Sequence, residues 1–194
     1  MHFRRLAALL LGAWLGGCLL MDMVATQNFR AVDRLLAAPS LDAAERIRAL
    51  GGHEGARIFL RYEAAEENRW YFENWERIQI GLGLALFFVL LFGSFPDNLT
   101  LALVLVMFAI VMVMRFFITP EITRLGRMID FVTPGTPSGE RTRFWMFHGA
   151  YSGSELVKLG LGVWLAARLA WRHRILQTAQ VDTVDKRDHS HIDR

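Results

Sequence analysis

FWMFHGAYSGSELVKLGLGVWLAARLAW, residues 144–171, is apolar and long enough to cross a bilayer, yet it carries His148, Glu155 and Lys158. On insertion scales an unpaired charge near the bilayer centre costs about 2.5–3.5 kcal/mol, so these side chains need partners. His148, Ser152, Glu155 and Leu159 recur at helical spacing and stack three polar groups on one stripe. Lys158 stands one turn beyond Glu155, the i, i+3 spacing of an ion pair. With Phe144 taken as the interface, Glu155 lies about 16 Å in, near mid-membrane, and is expected in a bundle interior.

Residues 6–26, 78–95 and 99–118 form three more apolar runs, each close to the ~17–25 residues that span a ~30 Å hydrocarbon core. The fold class read from this is all-α: a four-helix transmembrane bundle with an interfacial helical insertion between spans one and two. Residues 1–176 make one membrane domain, the insertion covers 40–77, and 177–194 are a polar tail expected to be disordered. A chain of 194 residues that is 53% hydrophobic suits a membrane domain better than a soluble core, because the apolar residues lie in long runs. The net charge of +3 does not point to nucleic acid, since the basic residues alternate with acids and gather at helix ends, where lipid headgroups lie.

The N-terminal run imitates a secretory signal, and Leu15-Gly16-Gly17-Cys18 approximates a lipoprotein box. Apolar Leu19-Leu20-Met21 follow, however, and the run reaches Thr26, longer than a signal core. It therefore reads as a span anchored by Arg4-Arg5. Gly12 with Gly16, and Gly149 with Gly153, are G-x-x-x-G pairs that suggest close helix packing. Asp22 sits about 6 Å from the end of the run, where a carboxylate needs a partner or an outlet to water.

Ser40 followed by LDAAERIRAL and Gly51-Gly52 reads as a short capped helix. Residues 53–77 are charged and helical in composition, and Trp70, Tyr71, Phe72 and Trp75 form an aromatic belt, which suggests a segment lying along the membrane. Phe95-Pro96-Asp97-Asn98 is a tight turn that makes spans two and three antiparallel neighbours. Thr119-Pro120-Glu121 signals a fresh short helix capped by Thr119, and 134–139 a loop. Cys18 is the single cysteine, so there is no disulfide framework. His189 and His191 are a poor metal site alone, and no metal or other cofactor is implied.

Trp14-Leu15-Gly16, Val24-Ala25, Phe29, Thr119-Pro120-Glu121-Ile122 and Phe147-His148 together resemble the four-span membrane family that includes transmembrane protein 205. The long insertion and the Glu155, Lys158 pair depart from that family's pattern. The resemblance implies an integral membrane protein without an established catalytic site, so it carries over no functional residues.

Alternating spans bring the end of span one, the end of span three and the start of span four to one side of the bilayer. Asp22, Arg115, His148, Ser152, Glu155 and Lys158 are then a candidate intramembrane polar cluster, with Asp22 and Arg115 as an ion pair. Two function classes follow: a structural or accessory membrane protein in which the cluster fixes helix register, or a small-solute or proton-coupled carrier that uses it. No nucleophile, base and orienting acid assemble on local spacing, so the expectation is not an enzyme. Partners are expected to be the lipid bilayer and a homo-oligomer or another membrane protein. The expected location is a cell membrane, multi-pass, and most naturally a bacterial cytoplasmic one. The arginine distribution leans toward cytoplasmic loops and external termini.

Overall fold

A computed structural model of the chain describes residues 2–93, 98–132 and 138–192, with the side chains of 3–93, 98–132 and 138–171. The order is α1 (His2–Ala37), α2 (Leu41–Ala49), α3 (Gly52–Leu91), α4 (Asn98–Val113), a π-helical turn (Met114–Ile118), α5 (Thr119–Ile129) and α6 (Gly139–Ile192), with no strand among the described residues. Three helices are long and apolar enough to cross a membrane: Phe3–Ala37, Gly52–Leu91, and the continuous Asn98–Ile129. They point to a multi-pass membrane protein. α6 is not among the three; Glu155, Lys158 and Arg168 interrupt its apolar run.

α1 and α3 are longer than a bilayer requires. Their 36 and 40 residues extend about 54 and 60 Å, against ~30 Å of hydrocarbon. No glycine or proline interrupts α3 between Gly55 and Gly81, so the charged segment and span two are one helix. The insertion therefore continues the axis of the span, which corrects the expectation that it lies along the membrane surface. It packs against the end of α1 through Val32, Leu36, Ala56 and Ala64, with Phe29, Ile47 and Leu60 closing over them. Asn28 Nδ2 donates to Asn68 Oδ1 at 2.7 Å, and Asn68 Nδ2 donates to the Ala25 carbonyl at 3.1 Å. Ser40 Oγ caps α2 by accepting from the Ala43 N–H at 3.3 Å. Gly51 and Gly52, at φ 89° and 80°, make the reversal into α3 in a region that side chains disfavour.

The main core joins Ala7, Leu11, Trp14 and Cys18 of α1 to Trp75 and Leu86 of α3, Leu103, Val104, Met107 and Val111 of α4, and Leu165 of α6. Close helix approach occurs at other glycines than the G-x-x-x-G pairs. A Cβ on Gly17 would lie 2.1 Å from the Trp75 indole, on Gly83 2.8 Å from Phe108, and on Gly162 2.5 Å from Leu15. At Gly12, Gly16, Gly149 and Gly153 it would meet nothing within 4 Å, and all four are exposed. The packing role expected for them is thus corrected within this chain. Spacing puts two glycines on one stripe but does not say which way the stripe faces; α1 turns its Leu11, Trp14, Cys18 stripe inward instead.

Pro120 does not start a new helix. It has no N–H to donate, and the ladder shifts just before it: the Thr119 N–H bonds the Met114 carbonyl, five residues back, and α4 runs on into α5. Thr119 is helical at φ −61°, ψ −42°, so it does not cap. The backbone of α6 stays helical through 177–192, for which disorder was expected; no glycine or proline follows Gly162 to break it. The turn at 94–97, most of the loop at 134–139 and the side chains of His189 and His191 lie outside the described residues.

Candidate functional site

The centre of the site is Gln79, fully buried on α3. Its Oε1 accepts from Trp14 Nε1 of α1 at 2.9 Å and from Lys158 Nζ of α6, so one amide joins three helices. Lys158, only 1% exposed, also donates to Glu155 Oε1 at 2.7 Å. A buried ammonium is tolerable only with a countercharge and further acceptors, and here Glu155 and Gln79 supply them. The buried Cys18 of α1 and Asp22, a turn further on, both lie close enough to Glu155 and Lys158 to feel their charges.

Glu76 lies one turn before Gln79 on the same face of α3 and is also fully buried. The Thr119 hydroxyl donates to its Oε1, while Arg115 Nη1 stands 4.0 Å from its Oε2, an ion pair without a hydrogen bond. Arg115 thus faces Glu76, and the ion pair expected between Asp22 and Arg115 is replaced: the π turn aims the guanidinium at α3. In and beside this network the buried Glu76 Oε2, Gln79 Nε2, Tyr151 Oη and Trp75 Nε1 have no hydrogen-bond partner among the described residues.

Inter-helix register sets the depth of the cluster. Lys158 reaches Gln79 and Tyr151 packs on Phe72, both pairs 79 residues apart, so α3 and α6 run parallel in one register. That register sets Ile78 level with Val157, and Phe144 about 20 Å further out, level with Ala65. Phe144 accordingly packs beside Gly126 of α5. Glu155 and Lys158 therefore lie level with Glu76 and Gln79, at the start of the apolar part of α3 and not along its middle. His148 and Ser152 are exposed and outside the network; His148 stacks on Phe144, centroids 5.8 Å apart.

Of the residues singled out from sequence, the structure brings Glu155, Lys158 and Asp22 into one neighbourhood and puts Arg115 against Glu76. Trp14, Gln79, Glu76, Thr119 and Tyr151 were not singled out as members. The available signal was Glu76 and Gln79 at i, i+3 at the head of span two, a helix otherwise almost without polar groups.

Outside the span, Arg69 forms two bonds to Asp130 at 2.8 and 2.9 Å, and Arg127 two to Glu66 at 3.0 and 3.1 Å, locking α3 to the end of α5. A Cβ on Gly126 would lie 2.7 Å from Arg69 Nη2, so the missing side chain makes room for the guanidinium. The Arg127 hydrogen bond holds the Glu66 carboxyl below its usual range, whereas burial raises that of Asp130 despite Arg69. Between this lock and the buried network lies an open groove lined by Glu73, Arg115, Pro120, Thr123, Arg124 and Arg127. Among the described residues no group of three His, Cys, Asp or Glu side chains is arranged to hold a metal. No family model matches the sequence, and no curated protein or solved structure matches it.

Proposed function

We propose that the chain is a four-span integral membrane protein with a structural or accessory role, in which the buried network ties the helices together. The observation that carries this reading is the double acceptance by Gln79 Oε1, from Trp14 on α1 and Lys158 on α6. In lipid there is no hydrophobic push between helices, so such bonds and close packing hold a bundle together. α6 serves as the fourth span: Leu165 is fully buried in the common core, and Arg168 Nε donates to Thr100 Oγ1 at 3.3 Å at the opposite end of the bundle. The reading is non-enzymatic and agrees with the resemblance to the four-span family. Its setting is a cell membrane, that of a bacterial cytoplasm being the natural one, with lipid and a second copy or another membrane protein as partners.

The test is a thermodynamic cycle on Glu155→Gln and Lys158→Met in purified protein. Each single variant leaves a buried polar partner uncompensated, so the double variant should be more stable than the sum of the single losses predicts. Additive losses would remove the tie. The unpartnered Glu76 Oε2, Gln79 Nε2 and Tyr151 Oη favour a second reading, a proton-coupled carrier. It requires proton flux in liposomes that Glu155→Gln abolishes while the fold persists; a flux-free protein leaves the structural role.

A further inference from the structure

We propose that the groove between α3 and α5 binds the phosphate of an anionic phospholipid headgroup, with Arg115 as its principal ligand. The inference stands apart from the tie role, since none of the residues that line the groove belongs to the Trp14, Gln79, Lys158 and Glu155 network.

Arg115 is the group with spare capacity. Its side chain is 22% exposed, it makes no hydrogen bond among the described residues, and its nearest carboxylate oxygen is Glu76 Oε2 at 4.0 Å. The neighbouring charges are engaged already: Arg124 with Glu121 at 2.7 Å, Arg127 with Glu66 at 3.0 Å, and Arg77 with Glu73 at 3.7 Å. A guanidinium carries five donors in a planar fork that matches a phosphate. Thr123 lines the groove beside it, and Arg124 and Arg127 add positive potential. The π turn that precedes Pro120 is what presents Arg115 here, and such turns recur at functional sites.

Position selects a lipid over a soluble phosphate. Thr119 bonds Glu76, so the groove lies where span two begins and span three ends, at headgroup level. Phe116 and Phe117 follow Arg115 directly and are 59% and 70% exposed, giving acyl chains an apolar surface next to the cationic floor. A basic pocket with apolar flanks at the membrane boundary suits an anionic amphiphile.

The experiment melts the full-length protein in neutral detergent with phosphatidylglycerol, phosphatidylcholine or inorganic phosphate, and follows retained lipid by native mass spectrometry. Phosphatidylglycerol at a hundredfold excess over its dissociation constant should raise Tm by about 5–10 °C. Phosphatidylcholine and inorganic phosphate should do much less. Arg115→Gln should lose most of the shift, while Arg46→Gln, on α2, should keep it. Should Arg115→Gln be too unstable to purify, Arg115→Lys keeps the charge and loses the fork, and should weaken phosphatidylglycerol binding at least about fivefold. An equal shift with phosphatidylcholine, the full shift with inorganic phosphate alone, or Arg115 variants that respond like the parent protein would each overturn the proposal.

Discussion

Tyr151 packs edge-on against Phe72, ring centroids 5.4 Å apart, and this contact has the same 79-residue offset as the bond from Lys158 to Gln79. Two contacts on one register mean that α6 stands beside α3 for about two turns, from Phe72 to Gln79. The first turns of the apolar run at 144–171 therefore stand level with the charged part of α3, residues 65–77, and are expected outside the bilayer, however apolar they look.

Cysteine accessibility tests that depth directly. The native Cys18 is buried and gives little background. Ser152→Cys, exposed and below the level of Ile78, should react with a membrane-impermeant maleimide in intact vesicles of the correct sidedness. Val163→Cys, exposed but about 16 Å further along the helix, should stay unreactive. A silent Ser152→Cys alongside a reactive position nearer the helix start would return the interface to Phe144.

The glycines offer a second check. Gly17→Ala drives a methyl into the Trp75 indole and should destabilise by about 1–3 kcal/mol, the usual range for overpacking. Gly12→Ala has open space and should be neutral, or stabilising by up to about 1 kcal/mol through helix propensity. Chemical or thermal melts of the two variants decide it; equal costs would mean that the G-x-x-x-G stripe is covered by a partner.

These results mark where the sequence is readable. Apolar runs, the capped α2 and the Glu155, Lys158 pair follow from spacing within one segment, and local chemistry determines them. Gln79 and Glu76 as partners, the outward glycines and the depth of Glu155 depend on how one helix is rotated and shifted against another, which no single segment records. Pro120 misled for a related reason. It looks like a helix start, yet α3 offers the Thr119 hydroxyl a buried carboxylate, and a π turn absorbs the missing N–H without ending the helix.

Gln79→Leu probes the centre of the network. It keeps similar bulk but removes the acceptor shared by Trp14 and Lys158, leaving the indole N–H unpaired and the ammonium with Glu155 alone. The expected loss is about 1–3 kcal/mol from the stranded donors. In a Trp14→Phe background the loss should shrink, because that donor is already gone. Identical losses in both backgrounds would show that the bond from Trp14 to Gln79 carries no stability.

The lock between α3 and α5 should depend on pH in a way that separates its two carboxylates. Arg127 holds Glu66 below its ordinary range, so Glu66 contributes stability that is present above the unfolded value of about 4.3 and is lost as pH falls through its lower folded value. Burial raises Asp130, which has the opposite sign: its contribution is present below the unfolded value of about 3.9 and is lost as pH rises through its higher folded value. Acidification from pH 6 to 3 therefore weakens the lock through Glu66 and strengthens it through Asp130. Asp130→Asn removes the strengthening part, so α5 should open more steeply with acid than in the parent, read as faster amide hydrogen exchange over 119–132 after correction for the intrinsic pH dependence. Glu66→Gln should do the reverse and flatten the profile. A flatter profile for Asp130→Asn would mean that Arg69, and not burial, dominates the Asp130 carboxyl.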